Sequence, residues 1–390
     1  MTRTPRPGTH RARPWLTLSA TVAALALSLS SCGSGDSGGS DSGGSADSGL
    51  RPVTLQLQWV AQAQFAGYYA ALDQGYYADE GLDVEIVEGG PDIVPQDVLA
   101  AGDVDYAISW VPKVLGSIEQ GAGITDVAQI FERSATTQVS FKDKDITSPA
   151  DFAGKNVGSW GYGNEWELFA GMQKDGVELG DINLVQQAFD MNALLAGDID
   201  VAQAMTYNEY AQVLETVNPD TGELYQPEDL NVVDWNDIGT AMLQDAIWAQ
   251  SAELDDPAYA DQTVAFIKAS IKGWVYARDN AQEAADIVTA AGSQLGTSHQ
   301  LWMTNEVNKL IWPSTDGVGL VDQAAWDQTV DIAMATKNET GATIITEAPP
   351  ETAYSNEYVE KALKALRTEG VDVDGAGYTP IEVTLNEGGN

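Results

Sequence analysis

Residues 53–60 (VTLQLQWV) alternate apolar and polar side chains, the period of a half-buried strand. Phe65, Tyr68, Leu72 and Tyr76 then recur at helical spacing, and Gly81 predicts the end of that helix. Residues 82–87 (LDVEIV) read as a second strand, broken by Gly89-Gly90-Pro91. A short helix over 95–101 leads to a third strand at 106–108. This β-α-β-α-β opening predicts a parallel sheet covered by helices.

Near residue 145 the pattern restarts. Ser148-Pro149-Ala150-Asp151 combines a cap residue, a proline at the first position and an acid at the third, which predicts a helix start. Residues 156–160, 183–185 and 201–205 read as strands, and 165–174, 191–196 and 207–217 as helices. After about residue 245 the chain turns mostly helical. Asp256-Pro257 opens a long helix with Val264, Ile267, Ile271 and Trp274 on one face. Asn280–Glu283 resembles another capped start, and further helices are expected over 299–311, 323–337 and 356–368. No repeat of fixed period is present.

The first 49 residues follow other rules. Residues 1–14 are basic, 15–29 are an apolar run rich in Ala and Leu, and Leu29-Ser30-Ser31-Cys32 follows. That is the layout of a secretory signal, too short to span a bilayer. Leu-Ser-Ser-Cys resembles the bacterial lipobox, in which the cysteine is lipidated and becomes the first residue. Cys32 is the single cysteine of the chain and sits where a lipobox needs it. Residues 33–49 contain Gly, Ser, Asp and one Ala, which cannot bury apolar surface and predict a flexible tether. The expected organisation is a signal peptide over 1–31, a lipidated Cys32 with tether over 32–49, and a folded body beyond.

Charge narrows the function. The chain has 58 acids and 19 bases, and four of the bases are arginines within residues 1–31. A chain cut before Cys32 therefore carries 58 acids against 15 bases, a net charge of about −43. No basic surface is available to displace phosphate counterions, so nucleic acid is excluded as a partner. Cys32 stands alone and His299 is the single histidine beyond it, so thiolate and multi-histidine metal sites are excluded. Carboxylate-only metal sites stay open, since acids are everywhere, but no cofactor is expected.

Three stretches carry a family resemblance: residues 58–81 continuing through LDVEIVEGGPDIVPQDVLAAGDVDYAIS, residues 148–160 (SPADFAGKNVGSW), and residues 266–287 with KGWVYARDNAQEAADI. Together they resemble the substrate-binding proteins of bacterial ABC importers in the NMT1/THI5-like group. Members of that group handle thiamine pyrimidine precursors, riboflavin, sulfonates or taurine, and nitrate. The resemblance implies an α/β type II periplasmic-binding-protein fold: two α/β lobes, two hinge crossings and a ligand cleft between them. On that basis 50–143 and 245–390 are expected to form lobe 1 and 144–244 lobe 2. The implied partners are a small-molecule ligand, an ABC permease with its ATPase subunits, and the membrane through the lipid at Cys32. The implied protein is a monomer anchored on the extracytoplasmic face.

In α/β folds ligands bind beyond the carboxyl ends of the strands. After the first strand stand Trp59, Gln62, Gln64 and Phe65, which offer rings to stack on a flat ligand and amides to bond its edge. After the second stand Gly90 and Pro91, and after the third Ser109 and Trp110. Facing them are expected Trp160, Tyr162, Asn164 and Glu165, then Tyr207, Asn208 and Glu209. These loops offer aromatics, amides and two carboxylates, with no arginine or lysine. A heteroaromatic ligand such as a thiamine-type pyrimidine or riboflavin is therefore expected ahead of a sulfonate, taurine or nitrate, which would want a cation. One branch of the resembled family consists of pyrimidine synthases that use a histidine, a PLP-bound lysine and a cysteine-rich iron motif. Here the first lysine is Lys113, His299 falls in a helical stretch, and no Ser/His/Asp set is present. No catalytic residue is expected, and the chain reads as a binding protein and not an enzyme.

Overall fold

The computed structural model describes residues 49–390. Among them are ten strands: β1 (Arg51–Gln56), β2 (Leu82–Val87), β3 (Tyr106–Trp110), β4 (Ile124–Gln129), β5 (Thr136–Phe141), β6 (Asn156–Ser159), β7 (Asn183–Gln186), β8 (Ala202–Met205), β9 (Leu230–Asp234) and β10 (Asp245–Gln250). Five form one sheet in the order β2-β1-β3-β10-β4. β1 runs parallel to β2, pairing Arg51 with Leu82 through Gln56 with Val87, and parallel to β3. β10 is antiparallel to both β3 and β4. The chain leaves this sheet after β4 and returns to it at β10.

The intervening strands build a second system. β5 lies between β8 and β9, antiparallel to each, and β6 pairs in parallel with β7. A bridge from Val157 to Val201 ties the β6–β7 pair toward β8. The pairing of β5 corrects the expected boundary after residue 143. Thr136–Phe141 belongs with the second system, so at the level of sheets the outward crossing runs through 130–135. Four strands, β4, β5, β9 and β10, had no counterpart in the expected pattern. β4, β5 and β10 are buried almost throughout, so both faces are shielded and no alternation of apolar and polar positions survives.

The helices lie close to expectation, with local differences. The helix expected to run to Gly81 is two pieces, Ala66–Asp73 and Tyr76–Asp79, because Gly75 adopts φ 74° between them. The start expected at Ser148 is a 3₁₀ turn, Pro149–Phe152, closed by the Ser148–Asp151 capping box. Helix Pro257–Asp279 is capped by Asp256, whose side chain accepts from the Ala258 N–H. It crosses helix Ala66–Asp73 at a glycine pair. A Cβ on Gly273 would lie 1.9 Å from the Gly67 carbonyl oxygen, and one on Gly67 would lie 2.1 Å from the Trp274 ring. This close crossing lets Trp274 bury fully, which contributes about 2–3 kcal/mol. Among the described residues no helix is long and apolar enough to cross a membrane.

Candidate functional site

A cavity of about 800 Å³ lies between the two sheet systems, at the strand ends where ligands are expected in this architecture. Its first wall comes from the loops after β1, β2 and β3. Gln58, Trp59, Gln62, Gln64, Gly90, Pro91, Ser109 and Trp110 line it. The loop after β2 is held against β1 by Gly89, whose N–H donates to the Trp59 carbonyl oxygen at 2.9 Å. A Cβ at that position would sit 2.3 Å from the Leu57 carbonyl oxygen, so glycine is required for the approach. Ser109 Oγ donates to Gln96 Oε1 at 3.0 Å, which fixes the mouth of β3.

The floor of this wall is an amide and indole network centred on Asp245, the first residue of β10. Gln58 Nε2 (2.7 Å), Gln64 Nε2 (2.9 Å) and Trp110 Nε1 (2.7 Å) all donate to its carboxylate. Gln62 Nε2 in turn donates to Gln64 Oε1 at 2.7 Å. Burial pushes the Asp245 carboxyl up to about 6, against the lowering effect of these donors and of the Lys113 charge. Asp245 thus orients three cleft side chains at once. It was absent from the sequence-derived set, although an acid inside the apolar run AMLQDAIWAQ was a visible anomaly.

The opposing wall comes from the second system. Trp160, Tyr162, Asn164, Tyr207, Asn208 and Glu209 line it, together with Met205 and Phe189. Gly161, Tyr162 and Gly163 carry φ of 66°, 53° and 86° in succession, which turns the chain sharply from β6 toward helix Trp166–Lys174. Tyr162 is 89% exposed at the rim of this turn. Trp160 and Tyr207 are buried, and share an apolar cluster with Trp110 of the first wall. Glu209 accepts from the Met205 N–H and from Asn208 Nδ2, each at 3.0 Å. Burial pushes its carboxyl up to about 7. Asn208 Oδ1 also meets His299 Nε2 at 3.1 Å, and His299 Nδ1 lies 2.8 Å from Glu215, so this histidine acts as a packing and hydrogen-bonding residue.

Two expected residues lie elsewhere. Phe65 is fully buried in the hydrophobic core behind the cleft, in the turn Ala63–Phe65. Glu165 turns its carboxylate back to the Gly163 N–H at 2.9 Å and is not part of the cavity lining. Phe189 and Lys113 are among the lining residues outside the expected set. Phe189, from the loop after β7, lies 4.9 Å from the Trp59 ring and 5.9 Å from the Trp160 ring, the latter nearly parallel at 26°. It forms an aromatic bridge between the two walls. Lys113 also lines the cavity, with its ammonium 4.8 Å from the centre of the Trp110 ring. The expectation of a cleft without a basic side chain is therefore corrected. Lys113 escaped it because the residue stands one helical turn beyond the strand-end loop, inside helix Val111–Glu119. Among the described residues no group of His, Cys, Asp and Glu is arranged to hold a metal ion.

Known proteins bring this architecture a context. A formylaminopyrimidine-binding protein from Halalkalibacterium halodurans is 27% identical over 245 residues, covering 62% of this chain and 71% of that protein. A riboflavin-binding protein, RibY, from Chloroflexus aurantiacus is 24% identical over 321 residues, covering 80% and 86% respectively. Among solved structures, the periplasmic sulfonate-binding protein SsuA from Methylobacillus flagellatus superposes with a TM-score of 0.56 at 18% identity, covering 86% of this chain and 99% of that one. That likeness places the two walled sheet systems in the periplasmic-binding-protein fold. The sequence match reaches further than fold: a family model described as "NMT1/THI5 like" covers residues 62–284, from the first cleft loop into the helices that follow β10, and the chain belongs to that family.

Proposed function

We propose that this chain is the extracytoplasmic solute-binding component of an ABC importer. It captures a flat heteroaromatic ligand, of thiamine-pyrimidine or flavin type, between its two lobes and hands it unchanged to a permease. The observation that carries this reading is the aromatic bridge Trp59–Phe189–Trp160 across an 800 Å³ cavity. Stacking on such rings adds about 0.5–1.5 kcal/mol per well-placed pair beyond burial. The buried carboxyl of Glu209 and the amides of Gln62 and Asn208 suit the polar edge of a nitrogen heterocycle. Relatives named for a formylaminopyrimidine and for riboflavin support the same ligand class. One observation, Lys113, favours a second reading as a binder of sulfonate, taurine or nitrate.

Cys32 lies outside the described residues. Its lipobox-like context supports a body tethered to the membrane by a lipid, which a shift of the Cys32→Ser variant out of the membrane fraction would test. The ligand class is tested by mass spectrometry of small molecules released from protein purified without refolding. Calorimetry follows against a hydroxymethylpyrimidine, riboflavin, taurine, an alkanesulfonate and nitrate. A ring compound should bind and be recovered intact, and Trp160→Ala should weaken it at least tenfold, about 1.4 kcal/mol. Tight binding of a sulfonate or nitrate with no response to either ring would overturn the heteroaromatic reading.

A further inference from the structure

We propose that the ligand carries an oxyanion beside its ring and that Lys113 selects it; this deepens the heteroaromatic reading and rests on it. Lys113 occupies the third position of helix Val111–Glu119, whose first turn contains no acid. A cation there faces the positive end of the helix dipole, opposite to the usual preference. Burial acts in the same direction and lowers the ammonium to about 8. Both effects disfavour the charged side chain, and the protein offers little in return. Among the described residues Lys113 has no hydrogen-bond acceptor and no carboxylate within ion-pairing distance. Its one close polar contact is the face of the Trp110 ring.

The two carboxylates whose charge reaches Lys113, Glu165 and Asp245, are already engaged. Glu165 accepts from the Gly163 N–H, and Asp245 accepts from Gln58, Gln64 and Trp110. A ligand oxyanion in the cavity would supply what is missing. It would pair with the ammonium, and the positive helix end that opposes Lys113 would favour it. The acids of the cleft oppose an anion less than their number suggests, since burial raises Glu209 to about 7, which leaves it partly protonated at neutral pH, and the Asp245 carboxylate is satisfied by three donors. The net charge of the body repels anions at long range, but salt screens that field beyond about 8–10 Å, so the selection is made within the cavity.

The test is a set of matched pairs titrated calorimetrically into the whole protein and its variants. The pairs are riboflavin with flavin mononucleotide, a hydroxymethylpyrimidine with its monophosphate, and dimethyl sulfone with methanesulfonate. In at least one ring pair the anionic member should bind at least about tenfold tighter. Lys113→Met should abolish that advantage, so that the anionic member binds no tighter than its neutral counterpart, and Lys113→Arg should retain part of it. Neutral rings binding as tightly as their anionic counterparts would overturn the role of Lys113 and leave the heteroaromatic reading standing. An anionic advantage that survives in Lys113→Met would overturn it equally. Lys113-dependent binding of methanesulfonate with no ring bound would retain the oxyanion role and overturn the heteroaromatic reading. Failure of all three pairs would overturn both.

Discussion

Asp245 accepts hydrogen bonds from Gln58, Gln64 and Trp110, three side chains that come from two different strand-end loops of the cleft. Removing that carboxylate strands three buried or half-buried donors, each at a cost of about 1–3 kcal/mol, offset in part by burying one charge fewer. Asp245→Ala should therefore lose about 2 kcal/mol or more of stability at pH 7 in urea denaturation, and weaken any ring ligand bound beside Trp110. A variant as stable as the parent and with the parent's affinity would refute this role. At this scale the sequence marked positions at strand ends well and side-chain direction badly. Trp59, Trp110 and Trp160 were legible because rings at strand termini stand where the cleft opens, although Trp110 and Trp160 are also packed into the apolar cluster beneath it. Phe65 stands equally close to β1, but the turn Ala63–Phe65 aims it inward. Phe189 follows a short strand that gives no sign of facing Trp59. Asp245 and Lys113 sit within regular elements, where position along the sequence does not reveal which group turns toward the cavity.

Between the two crossings of the chain, Glu167 of helix Trp166–Lys174 makes the connection. Its carboxylate accepts from Ser134 Oγ at 3.0 Å on the outward crossing and from the Met242 N–H at 2.6 Å on the return. Gln244 repeats the link, accepting from the Ala135 N–H at 2.9 Å and donating to Thr136 Oγ1 at 2.7 Å. Burial raises the Glu167 carboxyl to about 7 while these donors hold it down. Glu167→Ala should free both crossing segments together. Hydrogen exchange should accelerate at 134–136 and 240–244, with smaller change in the β1–β3 core; unaltered protection there would count against a hinge clamp. The outward crossing was misplaced from sequence because β5 reads TTQVSF. Its threonines, glutamine and serine suggest a surface segment, yet it is buried, with Thr137 Oγ1 and Gln138 Nε2 donating to backbone carbonyls of Ala204 and Gly158. Elements with one wet face, such as β1, β2 and the long helix at 257–279, kept their periodicity and were legible. Elements dry on both sides lost it.

At the scale of the whole molecule, an acidic surface surrounds an interior that also contains acids. Burial raises Glu132, Glu167 and Glu209 to about 7, Asp245 to about 6, and Asp126 well above the ordinary range. In the unfolded chain these groups titrate near 4. From about pH 4 to 7 the folded state therefore holds protons that the unfolded state has released, and folding stability falls as pH rises through that window. The stability tied to these groups is full below about pH 4 and is lost by about pH 7–8. Other carboxylates act in the opposite sense. Hydrogen bonds lower Asp151, Asp200 and Glu369, so their contribution is present above their unfolded values and disappears as pH falls through the folded ones. The two sets meet near pH 4, where the maximum falls, and stability at pH 5 stands well above that at pH 8. Self-repulsion from a net charge near −43 adds to the same slope, but it is screened by salt while the buried contribution is not. Scanning calorimetry at pH 5 and pH 8, each in low salt and in 0.5 M sodium chloride, separates the two. The unfolding midpoint should be higher at pH 5 in both salts, with the gap narrowed but not closed by salt. A midpoint higher at pH 8, or a gap that vanishes in salt, would mean that the buried carboxyls keep their ordinary affinities and that the cleft is wetter than its walls indicate.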